Sequence, residues 1–424
     1  MHMTRRSLIA GLAAAPLALA TEAALAPSTA QASPIDAGQF TLAVRTDNRD
    51  GDAFASVNSA LAAKLGGRAT FETVVASANR PATHATSVPG VSSAALADAF
   101  TWKSGDSDTT EWVPQGITTS ADALGNGVYP AGGKRIVLVS WYYDIGAIDK
   151  GMRVSFVDYT NKSAPMYRHV LLVEPVLTAS GAPSFAPIRK HAGGITWYGN
   201  RLYVVDTFYG LRVFDLNEMF EVATGDETLC GLNDADGKYY AYNYQYVLSQ
   251  SHAYDNTGTY LRYSAVALDR SSTPDSLVVG EYSPDKVDAT DPSVTYTDGP
   301  FAGNGTTVRT PKLVRWEVDS TTRLLKASAA KEAVTVKQAK IQGSACVLGK
   351  HYLSVSNGPS SKGYLRTVTP PATTPSAVTG LPVAPEDLSL HAGSASGWSY
   401  GADVLWNLTE IEGARYVYAV RTSG

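Results

Sequence analysis

Residues 191–216 read HAGGITWYGNRLYVVDTFYGLRVFDL. Three short runs rich in β-branched and aromatic residues are split by two turns, at Gly199-Asn200 and Tyr209-Gly210. Such runs bounded by turn formers predict a three-strand antiparallel meander. A histidine, His191, stands at its head. A carboxylate, Asp206, closes its second strand. If the unit recurs, its polar ends meet their counterparts from other copies.

The unit does recur. First strands open at PQGITTSADAL, HAGGITWYGN, RYSAVALDRS, IQGSACVLGK and PEDLSLHAG, aligning Gln115, Gly193, Ser264, Gln342 and Glu386. Second strands follow at RIVLVSWYYD, RLYVVDTFYG, DSLVVGEYSP, HYLSVSNGPS and DVLWNLTEIEG. Third strands follow at MRVSFVDY, GLRVFDL, KLVRWEV, GYLRTV and RYVYAV, with fourth strands expected in YRHVLLVEP and YYAYNYQYVL. Repeats of ~40–50 residues or more with several strands each are the mark of a propeller. The expected fold class is therefore all-β, a β-propeller of about five four-stranded blades. A ring of six or seven blades, or a β-sandwich, fits the pattern less directly. The chain ends soon after its last third strand, so the outer strand of the last blade must come from elsewhere. QFTLAVRT, residues 39–46, alternates correctly and is expected to supply it, leaving no open sheet edge. The expected organisation is a leader over 1–32, an N-terminal strand and capping segment over 33–108, and the propeller over 109–424. Helical periodicity is confined to AFASVNSALAAKL and LNEMFEVA.

The N-terminus has the charged start, apolar middle and Ala30-Gln31-Ala32 site of an export signal. The adjacent Arg5-Arg6 followed by Ser7-Leu8-Ile9 reads as a twin-arginine signal, which carries folded protein. Cleavage after Ala32 and a secreted, monomeric product are expected. No later stretch holds ~18 uncharged apolar residues, so no membrane span is read. A net charge of −4 gives no reason to expect nucleic acid or an anionic membrane as partner. Hydrophobic residues make up 44% of the chain and charged ones only 17%, enough for a large core. The 23 tyrosines outnumber the 10 phenylalanines, and tyrosine joins an apolar ring to a polar tip suited to sugar-facing surfaces. Cys230 and Cys346 lie in different units, where they form one disulfide or remain two thiols.

In an antiparallel blade, the heads of first strands and the ends of second strands share one rim. That rim is expected to collect Gln115, His191, Gln342, Glu386 and Asp387 from the heads. From the ends it takes Trp141, Tyr142, Tyr143, Asp144, Asp206, Tyr209, Glu281, Asn357 and Glu410. Carboxylates, amides, aromatic rings and one histidine converging at a channel mouth suit a polar ligand, a small molecule or polysaccharide. Glu386-Asp387 opens an inner strand, so at least one of these carboxylates turns to the channel and needs a partner, a metal or a raised pKa. The expected catalytic set is His191 and Glu386 as an acid/base pair with Asp206 orienting the histidine or a hydroxyl. The plainer reading is that Gln115, Gln342 and Asp206 satisfy backbone groups. No histidine spacing signals a transition metal; calcium on carboxylate and carbonyl oxygens is compatible with the rim. GDSDTTEW and LNDADGKYY read as acidic turns, and no G-x-S-x-G elbow occurs.

The leader TRRSLIAGLAAAP and the Ala- and Gly-rich chain resemble exported proteins of high-GC Gram-positive bacteria. HAGGITW…LYVVDT…GLRVFDL, QGSACV and PEDLSL…LWNLTE resemble a family of secreted β-propeller proteins of such bacteria, a resemblance that brings no activity with it. At fold level the chain also resembles five-bladed propeller glycosidases, which place three carboxylates at the channel mouth; none of their motifs is matched residue by residue. Three functions compete. The first is a carbohydrate-active enzyme, hydrolase or lyase. The second is a lectin-like binding propeller. The third is a calcium-dependent phosphoesterase or lactonase. Rim residues that differ from blade to blade favour a single site, and so an enzyme.

Overall fold

The computed structural model describes residues 35–45, 53–130, 133–145, 148–284, 294–295, 307–308 and 310–422. The leader expected over 1–32 lies outside them. Each repeat folds as one antiparallel sheet, and the sheets make a five-bladed β-propeller. Blade 1 is β3 (Trp112–Thr119), β4 (Ile136–Tyr143), β5 (Met152–Asp158) and β6 (Met166–Leu177). Blade 2 is β7 (Ile195–Tyr198), β8 (Arg201–Asp206), β9 (Gly210–Glu221) and β10 (Tyr246–Asn256). Blade 3 is β11 (Tyr263–Asp269), β12 (Ser276–Glu281), β13 (Lys312–Glu317) and β14 (Glu332–Thr335). Blade 4 is β15 (Ile341–Val347), β16 (Lys350–Val355), β17 (Lys362–Val368) and β18 (Ser376–Val383). Blade 5 begins with β19 (Ser389–His391), β20 (Val404–Leu408) and β21 (Tyr416–Arg421).

The closure differs from expectation. The outer strand of blade 5 is β2 (Leu96–Thr101), running antiparallel to β21 from Tyr416↔Thr101 to Val420↔Leu96. The strand expected to close it, β1 (Leu42–Val44), instead extends blade 2, with Leu42↔Asn256 and Val44↔Tyr254. Both segments alternate, and alternation does not choose a partner. Burial does: Phe40 and Leu42 are buried with Tyr254 and Leu211 of blade 2, whereas Ala99 and Phe100 are buried beside blade 5. Blades 1 and 2 are further joined by parallel pairing of their outer strands, Val247↔Leu171 to Ser249↔Val173.

The helix expected in AFASVNSALAAKL is α1 (Ala53–Lys64), whose Val57 and Leu61, one turn apart, are buried. Next comes α2 (Phe71–Ala76), capped by the Thr70 hydroxyl accepting from the Thr73 amide at 3.1 Å. LNEMFEVA is not helical. Past a bulge in β9, Met219 and Phe220 pair with Leu248 and Val247, and sheet pairing overrides local propensity. YYAYNYQYVL divides: a short strand, Tyr239–Ala241, precedes the start of β10.

The first strands pack directly against one another around the axis, which explains the glycines that recur in them. A Cβ on Gly116 would lie 2.8 Å from the Ile195 nitrogen, and one on Gly194 would lie 2.6 Å from the Ala265 Cα. On Gly343 it would lie 2.7 Å from the Asp387 carbonyl carbon. These are clashes with backbone of the next blade, so only glycine permits the approach. No helix among the described residues is long and apolar enough to cross a membrane.

Candidate functional site

Registers place the expected rim residues at one end of the ring. Trp112 opposes Tyr143 in blade 1, Tyr263 opposes Glu281 in blade 3, and Ile341 opposes Val355 in blade 4. In blade 5 the Glu386 amide bonds the Leu408 carbonyl at 3.0 Å. In blade 2 the Val205 amide bonds the Gly194 carbonyl at 3.0 Å, which puts His191 and Asp206 at the same end.

Two carboxylates stand on blade 5, each held by a carboxamide of a neighbouring blade. Gln342 Nε2 donates to Glu386 Oε1 at 3.1 Å, and Gln115 Nε2 donates to Glu410 Oε2 at 2.8 Å. Glu386 has no exposed surface, while Glu410 is half-buried. Asp387, also fully buried, accepts on Oδ2 from the amides of Ile117 (3.1 Å) and Ile195 (2.9 Å). It thus ties blade 5 to blades 1 and 2. Burial pushes its carboxyl well above the usual range, and among the described residues its Oδ1 has no hydrogen-bond partner. Asp122, on the one-turn helix that follows β3, accepts from Thr118 Oγ1 and Ser389 Oγ, both at 2.7 Å. Burial raises it to about 6.

Other candidates are already matched by cations. Asp206 accepts from Arg212 at 2.9 Å and pairs with Lys190 at 3.1 Å. It does not bond His191, whose ring stacks on Tyr142 with centroids 4.1 Å apart. Lys190 Nζ also lies 4.3 Å from the exposed Tyr209 ring. Glu281 is buried and paired with Lys312 at 3.2 Å; burial raises its carboxyl and Lys312 opposes that. Tyr143 donates to Glu111 at 3.1 Å, Asp144 is half-buried, and Asn357 is exposed.

Trp141 is corrected. Strand alternation turns Val137, Val139 and Trp141 together into the core, where Trp141 meets Trp102 at 4.9 Å. It starts a polar chain that reading the sequence missed. Trp141 Nε1 donates to Ser155 Oγ (2.7 Å), which bonds His169 Nδ1 (2.9 Å), and His169 Nε2 bonds Asp106 Oδ1 (2.9 Å). Asp106 also accepts from Arg153 (3.1 Å) and Tyr167 (2.7 Å). These partners hold its carboxyl far below the usual range although burial opposes them. Burial first, then the Arg153 charge, lowers His169 to about 3. The neutral imidazole therefore accepts at Nδ1 and donates at Nε2. The sequence signal was slight: His169 sits mid-strand, and Asp106 lies in what reads as an acidic turn. Ser155 is buried, so this chain ties strands together rather than presenting a nucleophile.

Among the described residues, no three His, Cys, Asp or Glu side chains gather to hold a metal ion. Cys230 and Cys346 are free thiols, each pushed up to about 12 by burial.

No protein-family model and no curated protein sequence matches this chain. Solved structures similar to it include a GH43_1 enzyme from Xanthomonas citri, at 12% identity and TM-score 0.36, covering 74% of this chain and 90% of that one. The same enzyme complexed with xylotriose is 11% identical, with TM-score 0.37 and coverage of 74% and 88%. RS223-Beta-xylosidase is 8% identical, with TM-score 0.31 and coverage of 74% and 92%. At such identities no residue role passes from them to this chain.

Proposed function

We propose that this protein is an exported carbohydrate-active enzyme, a glycoside hydrolase working at the channel rim. One observation carries the reading: Glu386 and Glu410 lie on adjoining antiparallel backbone runs at the rim end of blade 5, bridged at Pro385↔Thr409, each oriented by a carboxamide from an adjacent blade. A carboxamide fixes a carboxylate without neutralising it. Paired carboxyls are what glycoside hydrolysis needs, one to protonate the leaving oxygen and one to activate water or attack carbon. Glu386 is assigned to proton transfer with Glu410 as the second carboxylate, and Asp206 is assigned to positioning Lys190 at the rim.

Glu386→Gln tests this. Turnover on the best substrate from a panel of neutral and acidic polysaccharides is expected to fall by about 10²–10⁴, the usual worth of general acid–base help, with little change in melting temperature. A lowered melting temperature with turnover per folded molecule intact sinks the catalytic role. That outcome matches the second reading, a non-catalytic sugar-binding propeller. The complete burial of Glu386 and Asp387 favours it, because buried groups that tie blades together serve stability first.

A further inference from the structure

A polar cleft of about 520 Å³ opens at the outer edge of blade 1, lined by none of Asp206, Glu386, Asp387 and Glu410. The N-terminal segment at Asn79 and Arg80, β6 at Arg168, the turn at Lys150, and Asn243 and Tyr244 ahead of β10 all contribute to its wall. Its charge is unbalanced. Arg168, only 8% exposed, donates to the Ser77 carbonyl at 2.9 Å and to the Gln245 carboxamide oxygen, both neutral. Among the described residues it makes no ion pair, and neither does Lys150, whose ammonium lies 5.6 Å over the Tyr143 ring. Arg80 faces Arg168 but also reaches Asp106 Oδ2 at 3.3 Å. Asp106 is already matched by Arg153, Tyr167 and His169, and the carboxylate lining the cleft, Glu227, is exposed.

A buried guanidinium with no carboxylate in direct contact is costly, and two cations facing one cavity raise the cost. Glu221, whose charge acts on Arg168, is exposed and reaches it only through Gln245, which donates to Glu221 Oε1 at 2.7 Å. Burial, with the Arg80 charge adding to it, lowers Arg168 from its ordinary value. The wall is also strained: Tyr242 and Asn243 both adopt left-handed backbone, at φ 49° and 69°. Asparagine tolerates that conformation, but tyrosine does so rarely, and such strain clusters at ligand sites. Carboxamides and a tyrosine hydroxyl beside the cations suit a ligand that bears hydroxyls as well as a negative charge.

We propose that this cleft binds an acidic sugar residue, its anionic group between Arg168 and Lys150 and its hydroxyls on Asn79, Asn243 and Tyr244. The anion follows from the cleft alone; the sugar rests on the carbohydrate reading above. The site thereby makes acidic polysaccharides the substrate class.

Calorimetric titration of the full chain tests the proposal with tetragalacturonate, a neutral galactose tetramer and inorganic phosphate as probes. Tetragalacturonate is expected to bind at least about tenfold more tightly than the neutral tetramer, since a hydrogen bond to a charged group is worth about that factor. Lys150→Ala is expected to remove most of that preference at an unchanged melting temperature, and Arg168→Gln to do the same where it folds. Binding is expected to weaken as salt rises. Equal affinity for acidic and neutral tetramers, or no effect of Lys150→Ala, overturns the proposal. So does phosphate binding as tightly as tetragalacturonate, which marks a simple anion site. Glu386→Gln is expected to leave this binding intact. Loss of the hydrolase reading through unaffected turnover, with acidic binding retained, therefore leaves the cleft standing.

Discussion

Asp122 and Asp387 are buried carboxyls bonded to first strands around the axis, and each is easier to keep protonated in the fold than in the unfolded chain. Asp122 moves from 3.8 to about 6. The native state therefore holds more protons between these values, and stability falls as pH rises. The contribution is complete below about pH 4 and is lost through about pH 6, roughly 3 kcal/mol at 1.36 kcal/mol per unit. Asp387 adds a loss of the same sign. Asp122→Asn keeps an oxygen for Thr118 and Ser389 while removing the ionisable proton. Melting curves from pH 4 to pH 8 are expected to decline less steeply for Asp122→Asn than for the parent. Parallel profiles would show that Asp122 is not the titrating group.

Strand β2 completes blade 5, and its side chains secure it on both flanks. Asp98 accepts from Tyr159 of blade 1 at 2.7 Å and from Tyr400 of blade 5 at 3.2 Å. Strand β1 is a three-residue extension of blade 2, held by the buried Phe40 and Leu42, by the Leu42 amide on the Ser328 carbonyl at 2.9 Å and by Arg45 paired with Asp255 at 2.6 Å. A proline removes a ladder donor and is tolerated at edges far better than between paired strands. Ala99→Pro, opposite Tyr418 in β21 and bonded on its other side to the Ala85 amide (2.9 Å), also removes the Ala99 amide's bond to Asp98 Oδ1 (3.1 Å) and is expected to leave little folded protein. Ala43→Pro, opposite Asp255, removes a ladder donor from a strand of only three residues and is expected to cost less than Ala99→Pro. Circular dichroism melts of the two variants check the assignment; the reverse order would restore residues 39–46 as the closing strand.

Closure of the ring joins Leu96–Val420 and Thr101–Tyr416, residues from opposite ends of the chain. Such non-local pairing forms late and only once the whole chain exists. A route that carries finished folds suits this topology, and Arg5-Arg6 in the expected leader fits it. We propose export in the folded state with cleavage after Ala32. Replacing Arg5 and Arg6 by lysine is expected to abolish secretion, read as the mature protein in the culture medium. Undiminished secretion would point to the unfolded-chain route.

The recurrence of strand, turn and strand determined the blades and put their number at about five, because period-two alternation and glycine turns are local properties. It also determined which ends share a rim, since antiparallel neighbours with short turns have only one arrangement. Gln115, Gln342, Glu386 and Glu410 were legible as rim residues for that reason, although their pairing across blades was not. Only the tertiary structure decided that β2 rather than β1 closes the ring, because both alternate and the choice rests on which blade buries their side chains. Only it turned Trp141 into the core, matched Asp206 with Arg212 and Lys190 instead of His191, and assembled Asp106, His169 and Arg153. Nor could the sequence place Arg80, Lys150 and Arg168 around one cleft: they come from three segments, and their charges matter only because the fold buries Arg168 with no carboxylate in direct contact.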